Sequence, residues 1–173
     1  MLDDQMGQDC VNRMGLPELP SRTFFQVSLR NVLVRLKAVP MRAICTLTPL
    51  GGAQNNIINQ LIKNINQDII AIAAETETSV LDLNERLWEE VGDQEKLGLS
   101  PEHKQAEYIS DITKRMVYIV TACWKHYLGM QSWDFIATSR GSSLFVDRIH
   151  LSSKAATVVQ EVVGTFLAAG KRK

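Results

Sequence analysis

Apolar residues recur along this chain at helical spacing in several stretches, separated by two short runs of β-type residues. After Ser21, a residue suited to capping a helix, Phe25, Leu29, Val32 and Leu36 step by four, three and four, and Pro40 closes the pattern. This predicts a helix to about Ala38. Arg42 to Thr48 reads as a buried strand ended by Pro49-Leu50-Gly51-Gly52. From about Asn55 to Glu75, Ile58, Ile62, Ile65, Ile69 and Ile72 form one face that must be covered, and Thr78 to Leu83 reads as a second strand. Strand, long helix and strand in that order favour a parallel pair with a right-handed crossover.

A short helix carrying Leu87, Trp88 and Val91 runs into Gly92-Asp93. Ser100-Pro101-Glu102 then opens a long helix with a stripe of Ile109, Ile112, Met116, Ile119, Cys123 and Tyr127, stopped near Gly129. Between Gly129 and Gly141 the pattern reads as a polar linker interrupted by Trp133, Phe135 and Ile136. The last helix is expected from Ser152 or Ser153, with Ala155, Val159, Val162, Val163 and Phe166 inward. Residues 1–20, punctuated by Gly7, Gly15, Pro17 and Pro20, read as an irregular segment.

Length and composition narrow the class. A chain of 173 residues is expected to form a single domain, 1–173, and a domain of this size buries about 70% of its unfolded surface. Acidic and basic residues balance at 19 each, which argues against a nucleic-acid partner, since that footprint is basic. Cys10, Cys45 and Cys123 are widely separated, which suits a reducing, cytoplasmic compartment, and His103 and His126 are too isolated to ligate a metal. No secretory leader is evident, and no apolar run approaches the roughly 20 residues of a membrane span. A soluble protein is expected.

The candidate chemistry lies just before the last helix, in Phe145-Val146-Asp147-Arg148-Ile149-His150-Leu151-Ser152-Ser153. Asp147 stands three residues before His150, so a carboxylate can hold one ring nitrogen while the other accepts a proton from a nucleophile. The same pair also fits a purely structural hydrogen bond ahead of a helix N-terminus.

Taken in order, the helix ending at Lys37-Ala38, the strand into Thr48-Pro49, the long helix, the strand Val80-Leu81-Asp82-Leu83 and the closing Asp147-Arg148-Ile149-His150 resemble the SGNH hydrolases, or GDSL esterases and lipases. The resemblance covers about residues 20–92 and 143–168. It implies an α/β fold, a flavodoxin-like three-layer α/β/α sandwich around a parallel sheet, here N-terminally incomplete and with a helical insertion at 93–141. It also implies a small ester substrate, Ser-His-Asp acyl transfer to water and no cofactor or metal. His150 would be the general base and Asp147 its orienter.

The departures from that family are specific. No Gly-Asp-Ser occurs in the chain, whose one Gly-Asp, Gly92-Asp93, precedes Gln94, so no nucleophile is identified. The family's Gly-x-Asn-Asp is approached only by Met1-Leu2-Asp3-Asp4, which puts Asp3 where an oxyanion-hole Asn is expected. A carboxylate there would repel the developing charge, at a site where losing one donor costs about 3 kcal/mol. Arg148 replaces a glycine common between the Asp and the hydrophobic residue. The expected sheet keeps an unpaired edge that a protein partner could cover. This chain alone is therefore expected to be inactive, either as a truncated hydrolase or as a non-catalytic interaction protein. The inserted helix would serve as a lid or a partner face, with Met116, Tyr118, Cys123, Trp124 and Trp133 read mainly as packing residues.

Overall fold

A computed structural model describes Gly15 and residues 21–50, 53–92, 112–146 and 150–170. In chain order these form α1 (Arg22–Arg35), a 3-10 turn (Leu36–Ala38), β1 (Ala43–Cys45), α2 (Ile57–Glu75) and β2 (Ser79–Leu81). There follow α3 (Leu83–Glu90), α4 (Ile112–Tyr127), α5 (Trp133–Ser139) and α6 (Ser153–Gly170). The protein is α-rich, 65% helical, and β1 and β2 form a small parallel two-stranded sheet. The chain divides into two compact units, Met1–Ile44 with Gln67–Ser79, and Cys45–Asn66 with Val80–Lys173.

In the first unit, Ser21 caps α1 as its sequence suggests, its Oγ accepting from the Phe24 amide at 3.0 Å. The stripe is turned from the expected one. Leu33 is buried and Phe25 and Leu29 half-buried, while Val32 and Leu36 are exposed. Steps of four from Phe25 through Leu29 to Leu33 keep one side of the helix, and ion pairs fix that side. Arg22 reaches both oxygens of Asp68 at 2.6 and 2.7 Å, and Arg30 reaches Glu75 at 2.8 Å.

The C-terminus of α2 closes through the Thr78 amide, which donates to the Ala73 carbonyl at 2.8 Å, with Glu77 in left-handed backbone at φ 54°. Arg42 then fans its guanidinium onto the carbonyls of Lys37 at 2.7 Å and Thr76 at 2.9 Å and the hydroxyl of Thr78 at 3.2 Å. One side chain thus ties together the segments that lead into both strands.

In the second unit the strands stop sooner than their apolar runs. The Thr46 amide still donates to the Leu81 carbonyl at 3.0 Å, but beyond it side-chain amides replace the ladder. Asn66 accepts from the Leu47 amide at 2.7 Å and donates to its carbonyl at 3.0 Å, and Asn59 does the same for Leu50, both at 3.0 Å. Pro49, which has no amide proton, separates the two. The main core gathers Leu87, Trp88 and Val91 with Leu144, Phe145, Ala155 and Val158. Arg86 bridges Glu89 and Glu90 at 3.0 and 2.9 Å, and Lys154 at the start of α6 approaches Glu90 at 3.4 Å.

Residues 133–139, expected as linker, form α5, with Ser132 accepting from the Phe135 amide at 3.1 Å and Asp134 in the first turn. A smaller cluster of Ala122, Ile136 and Val146, with Trp133 against it, joins α4 and α5 to the segment before α6. On α4, Ala122 faces inward and Tyr127, expected inward, is exposed. The expected start of that helix at Ser100 lies outside the described residues. No described helix is long and apolar enough to cross a membrane.

Candidate active site

His150 sits where the sequence places it, at the end of a short reversal that leads directly into α6. The Val146 amide donates to the His150 carbonyl at 2.9 Å, and Phe145 and Leu151 pair in an antiparallel bridge. Both flanks are anchored. Leu144, Phe145 and Val146 are buried on one side, and Ser152 is buried on the other. The Ser152 amide donates to the Leu144 carbonyl at 2.8 Å, and its Oγ accepts from the Ala155 amide at 3.3 Å, which makes Ser152 the cap foreseen for this helix.

Arg140, at the end of α5, adds a brace absent from the sequence reading. Its Nη1 donates to the Val146 carbonyl at 3.0 Å and its Nη2 to the Thr121 hydroxyl at 3.1 Å. The signal was a cation at a helix C-terminus, where the last carbonyls and a following loop need donors. His150 itself is exposed. Asp147 and Arg148 lie outside the described residues, as does Asp3.

Four serine hydroxyls of α5, α6 and the segment between them are engaged with backbone. Ser142 accepts from the Phe145 amide at 3.0 Å, Ser139 donates to the Ile136 carbonyl at 2.9 Å, and Ser132 and Ser152 are helix caps. None of these four is set as a nucleophile, because the atom that would attack already holds a turn or a helix end in place.

A second polar group, at the carboxyl ends of β1 and β2, was not singled out from the sequence. The buried Thr46 hydroxyl donates to Asp82 Oδ1 at 3.0 Å and accepts from the Asn84 amide at 2.9 Å. Asp82 Oδ1 also caps α3 through the Glu85 amide at 3.1 Å, and Asn84 Nδ2 donates to the Leu47 carbonyl at 2.9 Å. Parallel sheets present ligands at this end, yet here the groups bond to one another, so the cluster locks the strand ends together. Its signal in the sequence was Asn59 and Asn66, seven apart on the otherwise apolar face of α2.

His126 is half-buried, stacked on Trp133 at 3.9 Å, with Nδ1 2.8 Å from the Gln131 carbonyl. Among the described residues no three His, Cys, Asp or Glu side chains converge as a metal site would require. His103 lies outside them. The displaced ionisations are those of ion pairs away from His150. Arg22 holds the Asp68 carboxyl below its usual range, Arg30 does so for Glu75, and Arg86, then Lys154, for Glu90. No protein-family model, curated protein or solved structure matches the chain.

Proposed function

We propose that this chain carries the base half of an SGNH-type carboxylic ester hydrolase, with His150 as general base and Asp147 as its orienter, completed by a serine from outside it. The observation that supports this reading most is the pairing of two features. A parallel strand-helix-strand unit (β1, α2, β2) occurs with an exposed histidine whose backbone is hydrogen-bonded one turn before the final helix. In this reading the two strands belong to the parallel sheet of a three-layer α/β/α sandwich whose other strands lie beyond β1.

The chemistry is acyl transfer. The imidazole takes the serine proton as Oγ attacks the ester carbonyl, and it returns that proton to the departing alkoxide as the carbon–oxygen bond breaks. Water then repeats the sequence on the acyl-serine, releasing the acid. Asp147 contributes by holding Nδ1–H, so that Nε2 is the nitrogen that accepts.

That last requirement supplies a test that does not depend on turnover. Long-range proton–nitrogen NMR correlations of the neutral His150 ring should show the Nδ1–H tautomer, and Asp147→Asn should return it to the Nε2–H form that free imidazole side chains prefer in water. A wild-type ring in the Nε2–H form would remove the orienter and with it the proposal. The purified chain should also take no label from a fluorophosphonate probe. A labelled serine whose labelling disappears in His150→Ala would show that the nucleophile is internal.

The commitment of Ser132, Ser139, Ser142 and Ser152 to backbone favours a second reading, a non-catalytic interaction protein that keeps the tetrad as a turn. The Nε2–H result supports that reading.

A further inference from the structure

Helix α4 carries apolar side chains on two faces, and among its described side chains only one of these faces is buried. Ala122 is buried with Ile136 and Val146. On the other side Val117, Val120, Trp124 and Tyr127 recur at steps of three, four and three, joined by Leu128 and by Met130 in the turn, and all six are between 56% and 92% exposed. Met130 adopts left-handed backbone, φ 51°, a conformation uncommon for a side chain of its kind, and its thioether is the most exposed apolar group of the patch. Single exposed apolar residues are ordinary, but a contiguous helical face of this kind marks an interaction surface.

We infer that this face of α4 and the turn after it dock on a membrane surface bearing anionic headgroups. Charge decides between the possible occupants. The 16 residues of α4 include Lys114, Arg115 and Lys125 and no carboxylate. Pairing this face with that of a second copy would bring two cationic helices together, a like-charge arrangement that disfavours a partner. An anionic bilayer surface attracts a helix of this net charge. The side chains also suit that zone. Trp and Tyr concentrate at membrane–water boundaries, where an apolar ring and a polar tip are both accommodated, and Leu and Met supply buried area. The helix lies along the surface without crossing it. The inference does not rest on the ester-hydrolase reading.

The experiment is cosedimentation of the purified chain with large vesicles of phosphatidylcholine alone or mixed with phosphatidylglycerol, at low and high salt. Binding should require phosphatidylglycerol and weaken with salt. Replacing Leu128→Ser and Met130→Ser together should reduce binding about tenfold or more. Both side chains are exposed, so circular dichroism should be unchanged. Lys125→Glu should selectively reduce the response to phosphatidylglycerol. Failure to bind either vesicle, or binding that these variants leave intact, overturns the inference. So does a wild-type dimer in sedimentation velocity that the double serine variant disperses, because the face would then belong to a second copy.

Discussion

The side chain of Asn66 offers a clear view of how the strand end is held. It is buried and brackets one residue, accepting from the Leu47 amide at 2.7 Å and donating to the Leu47 carbonyl at 3.0 Å. The two contacts are unequal in consequence. The Leu47 carbonyl also accepts from Asn84 Nδ2 at 2.9 Å, so Asn66→Ala leaves that oxygen satisfied and strips only the amide. Leu47 is exposed and its bond to Asn66 only partly buried, so the orphaned amide costs about 1 kcal/mol, and the lost hydrogen bond to the carbonyl adds about 0.5–1. The expected loss is thus about 1.5–2 kcal/mol, a sizeable fraction of a typical domain's 5–15. Asn84→Ala alone should cost under about 1 kcal/mol, because Asn66 still serves the carbonyl. The double variant leaves both backbone groups of Leu47 bare and should exceed the sum of the single losses. Urea unfolding followed by circular dichroism measures all three. A loss below about 0.5 kcal/mol for Asn66→Ala, or strict additivity in the double variant, would refute the bracketing argument. Asn66→Asp adds an internal control. It keeps the acceptor but turns a carboxylate oxygen toward a carbonyl, so its deficit should shrink as pH falls and the carboxyl protonates.

Acid should weaken the fold in a defined window. The carboxyls of Asp68, Glu75 and Glu90 sit below their ordinary values because Arg22, Arg30 and Arg86 donate to them. Their contribution is complete above the unfolded values near 4 and is lost as pH falls through the lower folded ones. The urea midpoint should therefore hold from about pH 7 to 5 and fall below about 4, less steeply in Asp68→Asn; a flat midpoint across the acid range refutes this. At the end of α4, a Cβ on Gly129 would stand 2.7 Å from the Lys125 carbonyl oxygen, which also accepts from the Gln131 amide at 3.1 Å. Gly129→Ala should cost about 1–3 kcal/mol. A melt should show it at roughly 2–4 °C per kcal/mol, and an unchanged melting temperature sinks the steric argument.

What could be read from the sequence was local in origin. Ser21 and Ser152 cap the helices they precede because a hydroxyl before an apolar stripe has few other uses, and Gly129 stops α4 where a side chain would strike the previous turn. Orientation was harder, because periodicity identifies stripes without ranking them. Helix α4 has two, and packing by Ile136 and Val146 selected the one with Ala122 and left Tyr127 outside. On α1 the choice of Leu33 over Val32 follows from Arg22 and Arg30 meeting Asp68 and Glu75, partners more than 40 residues away. Helix α5 leaves no periodic signal in the sequence because its buried residues, Ile136 and Ala137, are too few to make a stripe. The strands were overestimated because Asn66 and Asn59 compete for the backbone that a longer ladder would have used. At the candidate site, the position of His150 before α6 was legible and the brace from Arg140 was not, since nothing near Arg140 in sequence names Val146 as its acceptor.

A base becomes useful only within about 2.6–3.2 Å of the proton it must take. The hydroxyls of Ser132, Ser139, Ser142 and Ser152 are bound to turns and helix ends of α5, α6 and the segment before His150. That frame is stiff on both sides: Val146 bonds across to His150, Arg140 bonds to Val146, and Ser152 fixes the first turn of α6. In the proposed reading, His150, exposed and with its backbone hydrogen-bonded, would serve a serine delivered from elsewhere. A segment supplying that serine, as proposed, would meet a base whose backbone is already hydrogen-bonded, so the entropy of arranging the site would fall mainly on one side of the encounter. The same stiffness makes Arg140 a positioning residue. Arg140→Met removes the donor to the Val146 carbonyl while keeping an unbranched apolar stem, so it should blur the His150 tautomer preference without abolishing the fold. An unchanged tautomer would mean that the reversal holds the ring's geometry by itself.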